Sequence, residues 1–373
     1  TPQGRVGPEA LHRLQMSNVA FTANARNRIL IEPGQGNESL ADSAALTAQP
    51  GLEGYVIKPW NDPTPQLAVP AGITLTVDPG VTVMTAENTP INVVGHLAVE
   101  GTAVSPVTFT SITDTLPGGW DGLVISGTAS LDHAIIRNGV SNIGLIGAGG
   151  GQVSIENSLV ENAAGYAIFS DIIALHRLRM NNVSFSGNNP DRVYVYPDDG
   201  YVLTGSSELS GQPGLDGYEV NLANFVVPEG ITLTLRSGAK LMMKGGVVPV
   251  AGHLVASGTT DAPVTFTSDI DSGPGEWAGI VLEGGTAVID HAQIRNAGKD
   301  GQSGVRVGGY ITDGGDLTLR NSTIISGTAA GLSVYSGQVT AVCTTFSNNN
   351  GDAIYATGSP DVTVFSSRIS GNG

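Results

Sequence analysis

Two stretches of this sequence have the residue types for proton transfer. Residues 288–296 read VIDHAQIRN, and residues 130–138 read SLDHAIIRN. Each sets an Asp beside a His, with an Arg four residues further on, and such groups serve as general acids and bases. A second chemistry is metal binding. Asp269, Asp271 and Glu276 lie on one Gly/Pro-rich loop, DIDSGPGE. Oxygen ligands spaced by one residue on a tight loop suit calcium, although the full twelve-residue calcium-loop pattern is missing. Its twin, ITDTLPGG, keeps Asp114 in the place of Asp271. Asp198 and Asp199 in YPDDGY form another acidic pair, present once. Trp120 in GGWDGLVI and Trp277 in GEWAGIVL are bracketed by Gly. Such a Trp can stack on a sugar ring, or it can pack over a chain corner where Gly lets the backbone turn.

These residues come in pairs because the chain is duplicated. ALHRLQMSNVAFTAN at 10–24 returns as ALHRLRMNNVSFSGN at 174–188, ten of fifteen positions matching at an offset of 164. QPGLEGY at 49–55 returns as QPGLDGY at 212–218, and GHLAVEGTAVSPVTFTS at 95–111 as GHLVASGTTDAPVTFTS at 252–268. The offset drifts between 157 and 164, so the insertions are small and belong in loops. Two tandem modules follow, residues 1–170 and 171–373.

A shorter period runs inside each module: apolar, any, apolar, any, turn residue, then an apolar residue three positions on. It fits Leu14–Met16–Asn18–Phe21, Ala129–Leu131–His133–Ile136, Val153–Ile155–Asn157–Val160 and Leu178–Met180–Asn182–Phe185. In the second module it fits the sets turning at His291, Asn321, Cys343 and Ser366, the Cys343 set most weakly. Alternation at period two means short strands with one buried face. Asn and His at the break tolerate the left-handed backbone of a sharp corner. Returns every 22–30 residues leave no room for helices, and ALHRL is the nearest approach to helical periodicity. The expectation is an all-β, right-handed parallel β-helix in which two modules form one continuous rod. A β-sandwich would show hairpin signals, and here the breaks are single-residue corners. Leu14, Met16, Leu178, Met180, Leu317 and Leu319 are expected to point inward.

The run VPAGITLTVDPGVTV, GHLAVEGT, PVTFTS, GGWDGLVISG, LDHAIIRNG and VSIENSLVENAAGYAI resembles the right-handed parallel β-helix repeat modules of bacterial secreted and cell-surface proteins. They share the pectate-lyase-like fold, which hosts lyases, hydrolases, epimerases, adhesins and passive stalks, so the likeness implies fold more than activity. It implies an extracellular or cell-surface location. IDH at 289–291 is similar to a segment of pectate lyases, but His133 and His291 stand where other coils have Asn, which makes them structural. The polygalacturonase-like set is missing, since GHL lacks a second Gly and no Arg-Ile-Lys occurs.

Composition narrows the function. Net charge is −16, and charged residues are 13% of the chain, about half the usual share. No basic patch meets phosphates, which excludes nucleic acid. No run of ~20 apolar residues spans a membrane. The sequence opens TPQGRVGPEA, so any export signal is expected to have been removed or to lie outside this segment. The single Cys343 cannot form an internal disulfide, and coil stacking must supply the stability. Sequons at Asn37, Asn182 and Asn321 carry little weight, the last two being corner residues.

The expectation is therefore a structural or adhesive rod without catalysis or a required cofactor, calcium being the one candidate. A polysaccharide-binding or polysaccharide-cleaving domain is the alternative. The segments turning at Asn18 and Ser366 share one phase of the repeat, which suits either a piece of a longer array or head-to-tail self-association through terminal coils. Surface polysaccharide is the other candidate partner.

Overall fold

Short alternating segments joined by left-handed corners bury their apolar faces by coiling. The computed structural model describes residues 4–34, 38–59, 66–197, 202–221, 223–309 and 314–373. They form 39 strands of three to five residues and three short 3-10 helices. The fold is an all-β parallel solenoid of about 14 turns. ALHRL ends a 3-10 helix in both copies, Pro8–Arg13 and Ile172–Arg177.

Two compact units divide the chain. One comprises Thr1–Ser170, Arg177–Val193 and Gln212–Leu215; the other comprises Asp171–His176, Tyr194–Gly211 and Asp216–Gly373. The first has an eight-stranded sheet from Gly4–Val6 to Ser184–Ser186 and a six-stranded sheet from Ala44–Leu46 to Leu178–Asn181. Leu67–Val69, Ile91–Val93, Leu123–Ile125 and Ile143–Leu145 pair in turn on its third side. The second unit has a seven-stranded sheet from Ser207–Leu209 to Asp361–Phe365 and a five-stranded sheet from Val247–Val250 to Ile354–Ala356. Its third side runs from Gly217–Val220 to Arg368–Ser370.

Parallel register turns the alternation into rows. Leu97, Ala129, Val153 and Leu178 stack in line, as do Leu254, Ala287, Leu317 and Val339. In Asp316–Arg320 the inward Leu317 and Leu319 are buried while Asp316 and Arg320 are exposed. Each fully buried Leu contributes about 1.5–3 kcal/mol, and the rows supply it once per coil.

The corner residues adopt the backbone expected of them. Asn18, His133, Asn157, Asn182, His291, Asn321, Cys343 and Ser366 have φ between 47° and 55°. Another corner of each unit excludes any side chain: a Cβ on Gly127 would sit 2.2 Å from the Gly95 carbonyl oxygen, and one on Gly315 would sit 1.7 Å from that of Gly285. Stacked glycines thus let successive coils approach, which accounts for part of the high Gly content.

Leu178, Leu317 and Leu319 are buried as expected. Leu14, Met16 and Met180 are only half-buried, and residues 14–21 form no strand. Near the start, Leu11 of the 3-10 helix is the residue that goes inside, at 1% exposure. Met180 lies on the terminal strand of its sheet, where one neighbouring strand is missing.

Candidate functional site

The two Asp-His pairs sit on a polar corner column. His291 Nδ1 lies 2.8 Å from Asp290 Oδ1, and His133 Nδ1 lies 2.8 Å from Asp132 Oδ1. Each carboxylate also accepts from the next coil: Asn321 Nδ2 donates to Asp290 at 2.9 Å, and Asn157 Nδ2 donates to Asp132 at 3.0 Å. Asn182 continues the ladder by donating to Asn157 at 3.0 Å. Asn182 and Asn321 are therefore corner residues. The Arg of each motif turns away from its His. His291→Asn, the side chain other coils use at this corner, is expected to shift stability by less than about 0.5 kcal/mol, checked by thermal melting. A large loss would assign the imidazole a further partner.

Arg137 and Arg295 instead reach back one coil to the acidic loops, a network the sequence analysis did not anticipate. Arg295 Nε donates to Asp271 Oδ1 at 3.0 Å, and its Nη2 donates to Oδ2. Thr267 Oγ1 at 2.5 Å and Asn296 Nδ2 at 2.9 Å donate to the same Oδ1. The first copy repeats this around Asp114, with Arg137 Nε at 2.8 Å, Thr110 Oγ1 at 2.5 Å and Asn138 Nδ2 at 2.8 Å. Both Asp residues sit in the left-handed region, φ 51° and 47°. The available signal was the joint recurrence of Asp114 and Asp271 with the two Ile-Arg-Asn runs.

Two of the three calcium candidates, Asp271 and Glu276, are engaged by protein donors in this network. Asp271 is spent on Arg295, Thr267 and Asn296. Glu276 accepts from the hydroxyls of Ser268 and Ser272 and from the Ser272 amide at 3.0 Å. Asp269 lies half-buried on the same loop without completing a set. Among the described residues no three His, Cys, Asp or Glu side chains gather. The tight loop orders its own donors around Asp271 and Glu276. Asp198, Asp199 and Asn37 lie outside the described residues.

Trp120 and Trp277 are both 0% exposed, so neither ring offers a free face to a sugar, and each packs at a corner, the other of the two expectations. Trp120 Nε1 donates to the Arg137 carbonyl at 2.8 Å, and Trp277 Nε1 donates to that of Arg295 at 2.7 Å. Each Trp thereby clamps the backbone of the arginine whose side chain holds the acidic loop.

Burial pushes the Asp271 carboxyl up, but hydrogen bonds from Arg295 and Thr267 outweigh it and hold the group below its ordinary value; Asp114 behaves alike. A depressed carboxyl contributes stability that is complete above its unfolded pKa, about 3.9, and lost as pH falls through the lower folded value. Melting temperature is therefore expected to drop below about pH 4. Asp271→Asn should flatten part of that slope while lowering stability near neutral pH, as thermal melts across the acid range will read.

Residues 256–373 match the family model described as right handed beta helix region, and residues 62–160 match the pectate-lyase like beta helix domain. The chain carries right-handed β-helix domains. Neither curated proteins nor solved structures give a match to this β-helix. Among its described residues no helix is long and apolar enough to cross a membrane.

Proposed function

We propose that this β-helix is an extracellular structural or adhesive element that works without catalysis. One observation carries the reading: the residues best equipped for chemistry occur in both copies and are spent on the scaffold. Asp290 and His291 form a corner, Asp271 and Arg295 tie a loop to the neighbouring coil, and Trp277 is buried beneath them. A surface of net charge −16 suits a secreted solenoid that must stay dispersed. Self-association belongs to the same reading. Sedimentation at rising concentration tests it, and a constant monomer removes it.

The second reading, polysaccharide binding or cleavage, is favoured by the pectate-lyase-like match over residues 62–160. Incubation with acidic polysaccharides, with and without calcium, separates the two. The structural reading expects no rise in the absorbance of unsaturated sugar products. A rise that survives repurification overturns it.

A further inference from the structure

We propose that the first unit binds an aliphatic carboxylate, a hydrocarbon chain with one anionic end, in a groove on the outer face of its eight-stranded sheet. The proposal is independent of the structural reading above. The groove has a volume of about 680 Å³, and Arg5, Arg26, Arg28 and Lys58 line it. These are four of only 17 Lys and Arg in a chain of net charge −16. Glu32 pairs with Arg5 at 3.0 Å, and Glu53 pairs with Arg28 at 2.8 Å. Arg26 acts on Glu53 only at longer range, and Lys58 is exposed at the groove's edge. Cations thus outnumber carboxylates along this lining.

The floor is hydrocarbon. Leu30, Val56 and Met84 form an apolar cluster with Ile112 packed against it. The cluster faces outward, because Ile29, Ile31 and Ile57 on the same strands take the interior positions. Strand register sets Arg5, Leu30, Val56 and Met84 in one row, at about 4.8 Å per coil. The lining cations therefore adjoin a short aliphatic patch of Leu30, Val56 and Ile112, the first two 6% and 7% exposed, with Met84 packed behind it.

The lining also says what does not fit. Its described residues hold one neutral hydrogen-bonding side chain, Thr113, and one acceptor carboxylate, Glu32. The many hydroxyls of a sugar, or the amides of a peptide, would find only Glu32 and Thr113 as side-chain acceptors along this lining. Sheet backbone cannot help, being spent on parallel pairing. A ligand with an apolar body and an acceptor-only head leaves nothing unsatisfied, and arginine forks match a carboxylate in bidentate fashion.

The second copy shows that the scaffold does not need these side chains. Sequence alignment puts Tyr194 at the place of Leu30, Glu219 at Val56, Pro190 at Arg26 and Asn221 at Lys58. The inward residues stay apolar, Val193 and Val195 standing for Ile29 and Ile31. The groove is a specialisation of one copy on a shared frame.

Calorimetric titration of the 373-residue chain with decanoate, below its micellar concentration, tests the proposal. Decanoate is expected to bind at least ~10-fold more tightly than decanol or acetate. The double change Arg26→Glu and Lys58→Glu, at exposed positions, should weaken it by a similar factor with an unchanged melting curve. Val56→Glu, the side chain the second copy carries, should do the same. If Val56→Glu melts early, the double variant alone decides. Equal binding of decanol removes the anion site, and equal binding of acetate removes the hydrocarbon floor. Tighter binding of oligogalacturonate makes the groove a sugar site. Unchanged decanoate affinity in the double variant, or no binding by the wild type, overturns the proposal.

Discussion

Leu319→Asp is expected to unfold the second unit's coils, with a loss of more than about 4 kcal/mol. Leu319 is 0% exposed and stands in register between Ile289 and Ala341. Its row neighbours Ile289 and Ala341 carry no charge, so the carboxylate would be buried unpaired or be forced to take up a proton. A domain with ~5–15 kcal/mol of stability cannot absorb that comfortably. Thr318→Asp, one residue earlier, points the same charge outward and should cost less than about 1 kcal/mol, because one step along a strand reverses the face. Chemical denaturation of the two variants checks both statements. Equal losses would mean that the register of Asp316–Arg320 is wrong.

Arg177→Ala should be nearly as damaging, at about 3–5 kcal/mol. Arg177 is 2% exposed and threads its guanidinium among backbone carbonyls of the first unit. It donates to Ile146 and Gly147 at 2.8 Å, to Gly151 at 2.9 Å, and also to Gly127. Hydrogen bonds to a charged donor are worth about 1.5–3 kcal/mol each, and removing the side chain deletes four of them at once. Gly150 packs so closely that a Cβ there would meet the guanidinium at 2.3 Å. Arg177→Lys should restore only part of the loss, since an ammonium lacks the planar fork. Arg13→Ala, at the matching position of the first copy, should cost less than about 0.5 kcal/mol. Arg13 is exposed and donates to His12 at 3.3 Å. Urea unfolding gives the magnitudes, and hydrogen exchange across residues 146–151 locates the damage.

The duplicated ALHRL segments mark the limit of what one chain of letters can say. By itself the sequence determined the coil: alternation at period two selects strands with one buried face, and single Asn or His breaks select left-handed corners. Those rules are local, acting over a few residues, so Leu317, Leu319 and the corner at Asn321 were legible without any neighbour in view. Tertiary structure decided everything that depends on which coil lies next. Arg13 and Arg177 share a motif, yet one meets solvent and the other a nest of carbonyls. Asp271 acquires Arg295, 24 residues further on, as a partner only through stacking. Trp120 and Trp277 looked able to face a sugar until Gly-flanked turns folded them under the arginine backbone. In a solenoid the partners of a side chain lie one coil away, at a separation set by loop lengths, and loop lengths are where the two copies differ.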